Sequence, residues 1–314
     1  MADPCALISF CPLGVMSMRK QIVLIPLSRY GFDPEEVSVP YMYLKNAGHQ
    51  VVFSTIDGYK GAADERMLTG KDLKMLASTL ACDDEARSIY NQMEESIEFQ
   101  YPIPWSEIRS EVYDSVCLPG GHDKAIREYL ESELLQKIIG EFFAQEKPVA
   151  AICHGVLLVA RSTHPRTRKS VLFGKKTTGL TKGQEKAAYN LTRLWLGDYY
   201  LTYPDIYLED DVKQYLEKPE DFDEGPGYPI PMSRDSQDKP HDGFALLDGN
   251  YLSARWPGDV HRFSTEYCRL LATASVKKPI GKPIGTPLSL PVASAISESE
   301  TSNSTASSTT ELLA

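Results

Sequence analysis

The segment Ala150-Ala151-Ile152-Cys153-His154-Gly155 combines a nucleophile, an acid–base group and a tight turn in six consecutive residues. Pro148 to Ile152 is a short apolar run that reads as a buried strand, and Gly155 to Arg161 reads as a helix. Cys153 then stands on the sharp turn between them, which is the form of a nucleophile elbow. A side chain so placed lies at the carboxyl end of a strand, where open α/β sheets bind ligands. The N–H groups and partial positive charge at the start of the following helix predict a lowered thiol pKa. A thiolate there attacks an electrophilic carbon. His154 supplies a ring that serves as acid or base if the turn aims it back over the site.

The rest of the chain reads as the frame that holds this turn. Gln21 to Pro26 is a buried strand, Glu35 to Ala47 a helix closed by Gly48, and Gln50 to Ser54 a second strand. Such a βαβ unit makes a parallel sheet with helices on both faces. Asp114 to Leu118 is a further strand and runs into Pro119-Gly120-Gly121-His122. Leu134, Leu135, Ile138, Ile139, Phe142 and Phe143 form the apolar face of a helix. Lys176 to Leu180 reads as another strand and Glu185 to Leu196 as a helix. Gly243 to Asp248 and Tyr251 to Ala254 form a hairpin through Gly249-Asn250, and Asp259 to Ala272 is the last helix.

Two stretches, 56–112 and 195–240, read as insertions that cover the sheet edge or the site. The first holds helices at Lys71 to Thr79 and Glu85 to Glu95 and a loop at Tyr101 to Trp105; the second ends in a Pro/Gly/Asp-rich lid. Residues 1–19 have no clear period and read as a poorly ordered leader. Residues 276–314, with their Pro/Gly repeat and Ser/Thr-rich run, read as a disordered tail that cannot build a core. The α/β domain is therefore expected over 20–275.

Composition narrows the function classes. The 314 residues carry 33 Lys+Arg against 43 Asp+Glu, a net charge of −10, which argues against a nucleic-acid partner. No apolar run reaches the length of a membrane span, and the N-terminus lacks the basic flank of a secretory signal. The six cysteines form no Cys-x-x-Cys pair and no cluster with His at zinc-site spacing, so no metal site is expected. They read as free thiols in a reducing, cytoplasmic compartment.

The cysteine turn resembles that of the ThiJ/PfpI superfamily, in the branch with adjacent Cys and His, and three further segments agree in the same order. Glu36, in Asp33-Pro-Glu-Glu36, matches the acid on the first helix that touches the cysteine sulfur. Leu118-Pro119-Gly120-Gly121 matches the glycine turn whose N–H groups face the site. Leu252-Ser-Ala-Arg255-Trp256-Pro257-Gly258 resembles the last strand and the Pro-Gly lead-in to the final helix. The resemblance spans about residues 20–273. It implies a flavodoxin-like α/β sandwich with a mostly parallel sheet, no cofactor, a small-molecule substrate and, as is common in the superfamily, a homodimer.

It also implies roles. Glu36 beside a thiolate would have a raised pKa and carry a proton. The N–H groups of Gly121 and His154, on the Gly120-Gly121 turn and the elbow, would stabilise an oxyanion. The acid orienting His154 would come from the segment Thr177 to Glu185, with Glu185 the choice and Gln184 a poorer one. His122, Arg255, Trp256 and His261 are pocket candidates.

Several activities use this arrangement. The first is a glutathione-independent, glyoxalase III-like reaction on a small carbonyl compound through a Cys153 adduct. The alternatives are a cysteine hydrolase of peptidase or amidase type, a specialised metabolic enzyme, and a stress or chaperone-type redox sensor without turnover. A class I glutamine amidotransferase is disfavoured, because the late His-x-Glu pair is missing: His241 precedes Asp-Gly and His261 precedes Arg-Phe.

Overall fold

Strands whose side chains are apolar on both faces must be covered on both faces, and that requirement sets the architecture here. The computed structural model describes residues 19–227 and 233–277. Its strands are β1 (Ile22–Pro26), β2 (Tyr30–Phe32), β3 (Gln50–Thr55), β4 (Ala62–Ala63), β5 (Ile103–Pro104), β6 (Ser115–Leu118), β7 (Val149–Ile152), β8 (Ala245–Asp248) and β9 (Tyr251–Ala254). Its helices are α1 (Pro34–Asn46), α2 (Glu65–Thr69), α3 (Ala77–Leu80), α4 (Asp84–Glu94), α5 (Ile97–Gln100), α6 (Arg127–Leu130), α7 (Glu133–Ala144), α8 (Gly155–Arg161), α9 (Lys182–Leu196), α10 (Leu208–Lys213) and α11 (Val260–Lys277).

Seven strands form one sheet in the order β5-β3-β1-β6-β7-β9-β8. Every pairing is parallel except that of β8 with β9, the antiparallel hairpin. Helices pack around the sheet, as expected of a flavodoxin-like α/β sandwich. The strand β7, which carries Cys153 at its end, lies between β6 and β9, with Leu118 beside Ala151 and Ile152 beside Ala254. The carboxyl ends of β6, β7 and β9 therefore converge, and so do the residues that follow them: Pro119-Gly120-Gly121, Cys153-His154 and Arg255-Trp256. The apolar stripe on α7 is buried, with Leu135, Ile139 and Phe142 fully covered, but Leu134, expected on the same face, is exposed.

The structure corrects three local expectations. Lys176 to Leu180 is not a strand: its N–H groups go to side chains and to one isolated bridge instead of a ladder. Thr177 makes only an isolated bridge to Phe222, and the Thr178 N–H donates to Ser253 Oγ at 3.0 Å. Lys71 to Thr79 is not a continuous helix, because Asp72 and Lys74 adopt φ of 64° and 54°, which breaks it into a short 3₁₀ turn followed by α3. Within the expected loop at 101–105, Ile103 and Pro104 extend the sheet edge beside β3. The leader up to residue 18 and the tail beyond residue 277 lie outside the described residues.

The β7–α8 turn closes on a missing side chain. A Cβ on Gly155 would sit 2.1 Å from the Leu118 carbonyl oxygen and 2.8 Å from that of Pro119, both backbone atoms on the neighbouring β6 segment. Gly155→Ala is therefore expected to destabilise the fold by about 1–3 kcal/mol, in the range of forced overpacking. Urea unfolding checks this; a midpoint equal to that of the parent chain would contradict the packing described.

Candidate active site

Cys153 has φ of +54°, an uncommon conformation for a residue with a side chain, and is 1% exposed. Such strain costs on the order of 1–3 kcal/mol and persists only where neighbours over-determine it. Here they do. The Cys153 N–H donates to Ala254 O at 3.1 Å, continuing the β9 ladder past the strand end, and the Cys153 carbonyl accepts from Val156 N at 3.2 Å, opening α8. Gly120 supplies the space on the other side: a Cβ there would lie 2.5 Å from His154 N and 3.0 Å from both Cys153 Cβ and Glu36 Oε2.

Glu36 reaches the sulfur because of how α1 begins. Asp33 caps the helix, its carboxylate accepting from the N–H groups of Glu35 at 2.9 Å and Glu36 at 3.1 Å, and Pro34 takes the first helical position. Glu36 is thus an acid in the first turn, favoured by the helix dipole, yet it is buried. Its Oε2 accepts from Gly120 N–H at 2.7 Å. Burial, and then the charge of Asp33, push its carboxyl well above the usual range, against the pull of Gly120 and of the Cys153 thiol. Asp33 itself is pushed up to about 7 by burial and by Glu35.

Burial and neighbouring carboxyl groups act against a thiol acidified by the helix start. Burial, then the charges of Glu36 and Asp33, push the Cys153 thiol well above its ordinary value, and the His154 backbone N–H only partly offsets them. Carboxyl and thiol therefore resist joint ionisation, and the pair retains a proton. The role expected of Gly120 changes as well. Its N–H is engaged by Glu36, and that of His154 is directed at the sulfur, so neither is turned toward a substrate oxygen in this state.

His154 Nδ1 lies 3.5 Å from Cys153 Sγ. Its ring packs edge-on to that of His122, with centroids 5.2 Å apart, and His122 in turn meets Tyr200 at 5.0 Å. Burial pushes His154 well below its usual range and His122 down to about 4, so both imidazoles are neutral near neutrality.

A family model described as ThiJ/PfpI family-like matches residues 27–221, a span that holds α1, the glycine turn and the Cys153 elbow. The chain belongs to the ThiJ/PfpI family. It is 22% identical over 245 residues to the deglycase PfpI of Pyrococcus furiosus, covering 78% of this chain and 96% of that one. It is 27% identical over 184 residues to a glutathione-independent glyoxalase of Schizosaccharomyces pombe, covering 53% and 71%. The crystal structure of glyoxalase III from Candida albicans superposes with a TM-score of 0.59 at 18% identity, over 80% of this chain and 97% of that one, which establishes a shared fold.

Beyond the ThiJ/PfpI elbow, the other sequence candidates separate. Glu185 is buried on the first turn of α9, and its Oε2 accepts from Leu208 N–H at 2.9 Å, tying α9 to α10 rather than orienting His154. Gln184, one residue earlier, closes a capping box with Thr181 and lines a pocket. Arg255 does not line that pocket: its guanidinium is held by Asp259 at 2.7 and 2.8 Å and by the carbonyl of Pro226 at 2.8 Å. It anchors the second inserted segment to the start of α11. Trp256 does line the pocket, under the Arg234 guanidinium at 5.3 Å. His261 lies against Tyr43, its Nδ1 3.3 Å from the phenol oxygen.

His122 and Asp33 line the same pocket, whereas Cys153, Glu36 and His154 lie one contact deeper. His122 is 8% exposed, and its Nδ1 is buried without a hydrogen-bond partner. Sequence reasoning missed Asp33 and Arg234. Asp33 had a signal, since Asp-Pro-Glu-Glu is a helix cap followed by proline; Arg234, which pairs with Glu35, had none.

Glu185 makes a measurable prediction. Burial pushes its carboxyl up to about 8 from an ordinary 4.5. The protonated form therefore stabilises the fold fully below the ordinary value, and that contribution is lost as pH rises through the folded value. In Glu185→Gln the amide oxygen can still accept from Leu208 while the titration is gone. Urea midpoints between about pH 5 and pH 8 should fall less in Glu185→Gln than in the parent chain, Asp33 and Asp235 being common to both. Equal falls would mean that Glu185 is not held protonated.

Proposed function

We propose that this chain is a cysteine-dependent enzyme acting on a reactive carbonyl compound, a glutathione-independent reaction of the glyoxalase III type. The observation that carries the reading is the buried Cys153–Glu36 pair, with Glu36 fastened by Gly120 N–H and His154 Nδ1 on the far side of the sulfur. The names of the relatives, deglycase and glutathione-independent glyoxalase, support carbonyl chemistry. The two histidines add to it, because each neutral imidazole keeps a ring nitrogen able to accept a proton.

The steps follow from the groups present. Cys153 Sγ adds to the aldehyde carbon of an α-oxoaldehyde, its proton passing to the Glu36–His154 surroundings and the carbonyl oxygen becoming the hydroxyl of a hemithioacetal. The C1 proton is then removed and returned to C2, which converts the hemithioacetal into a thioester of the 2-hydroxy acid. One water cleaves the thioester, restoring the thiol and releasing the acid. The substrate is oxidised at one carbon and reduced at the next, so no external oxidant enters. Glu36, which shares the pair's proton with the sulfur, and His154 are the proton carriers. The Gly121 N–H is the oxyanion donor, since that of Gly120 is engaged by Glu36. His122, at the pocket floor with a free Nδ1, is the group between the substrate and the thiol.

Cys153→Ala is expected to abolish methylglyoxal or phenylglyoxal consumption without glutathione, and Glu36→Gln to lower kcat by at least about 100-fold, the scale of a lost acid–base group. Lactate or mandelate formation by the pure proteins measures both. Turnover retained in Cys153→Ala, or no turnover of either aldehyde by the parent chain, would remove this reading.

A further inference from the structure

The pocket next to the Cys153 site has a cavity volume of about 140 Å³. One wall is the face of α9 that carries Gln184, Ala187, Ala188 and Leu191, the i, i+3, i+4, i+7 spacing of a single helical stripe. In a helix packed on a core this stripe would meet another element. Here two of its members are alanines, and the space they leave is the pocket. The facing wall comes from the first inserted segment, with Met67, Leu76 and Leu80. Trp256 and Leu180 complete an almost wholly apolar lining.

The polar groups are few, and three of them, His122 Nδ1, Tyr200 OH and Trp256 Nε1, are buried without a hydrogen-bond partner. Arg234, the cationic group in the lining, is paired with Glu35. Asp33 and His122 lie on the side of the Cys153 site. The lining is thus mostly apolar, and His122 is its link to the Cys153 site. The apolar surface continues outward: Leu191 is 56% exposed, on the same helix as Leu194 at 90%. A three-carbon aldehyde such as methylglyoxal fills only the His122 end and leaves the apolar walls in water.

We propose that this pocket selects its substrate by an apolar substituent, taking α-oxoaldehydes with an aryl or branched alkyl group in preference to methylglyoxal. The inference rests on the carbonyl-enzyme reading for its head group and on the pocket lining for its tail. Burying the tail against Met67, Leu76, Ala188 and Trp256 removes apolar area from water on both sides, whereas an anionic tail would find the Arg234 charge already paired.

The test separates tail recognition from turnover. Calorimetry would compare binding of two 2-hydroxy acid products, mandelate and lactate, while kinetics would compare kcat/KM for phenylglyoxal and methylglyoxal. Each ratio is expected to favour the aryl compound at least tenfold. Ala188→Phe, which fills the space, and Leu191→Asp, on an exposed position that the fold tolerates, should each cut both ratios several-fold. Mandelate preferred in binding, with neither aldehyde consumed, would uphold the pocket assignment and remove the proposed reaction. Equal affinity for the two acids, or a preference unchanged in both variants, would overturn the inference.

Discussion

A carboxyl and a thiol buried against each other, with the carboxyl pinned by one backbone N–H, set the terms for the rest of this molecule. Neither group is at ease in its ionised form at such depth, and each makes ionisation of the other harder. Holding them together requires three chain segments to arrive at one point: the start of α1, the turn after β6 and the turn after β7. The parallel sheet supplies that convergence, since the ends of β6 and β7 are neighbours by register. Glycine at 120 and 155 lets the two turns approach closely enough, and the β9 ladder holds Cys153 in its strained conformation.

The same arrangement explains why charge alone does not describe the site. A helix N-terminus favours a thiolate, but α8 begins behind a sulfur that is fully desolvated and faces two carboxyl groups. Burial and the two carboxyl groups push the thiol up, and the His154 backbone N–H at the helix start pulls it down. In the proposed reaction the proton moves within the Cys153–Glu36–His154 group. Met67, Leu76, Leu80 and the α9 face add what the sheet lacks, an apolar wall beside a site whose own residues are polar.

Much of this was legible in the sequence, and the exceptions have physical causes. Runs such as Ile22–Pro26 and Val149–Ile152 could be read as buried strands because an uninterrupted apolar run has little other use in a chain of this composition. The stretch Lys176–Leu180 misled because its N–H groups are met by the Asp248 and Ser253 side chains, a tertiary arrangement that periodicity does not report. Glu185 and Gln184 differ by one step on a helix, about 100° of rotation, which is enough to turn one into the interior against α10 and the other into the pocket. Arg255 and Trp256 are consecutive residues leaving a strand, so their side chains take opposite sides, and only Trp256 meets the pocket. The second inserted segment stayed opaque because it carries little periodic structure; Arg234 acts through an ion pair with a residue 199 positions away.

The central claim is that Cys153 and Glu36 oppose each other's ionisation. Absorbance of the thiolate near 240 nm, titrated in the parent chain and in Glu36→Gln with Cys153→Ser as the blank, tests it directly. With the opposing carboxylate removed, the Cys153 thiolate should appear at lower pH in Glu36→Gln than in the parent chain. A thiolate that forms at the same or higher pH in Glu36→Gln would contradict the account.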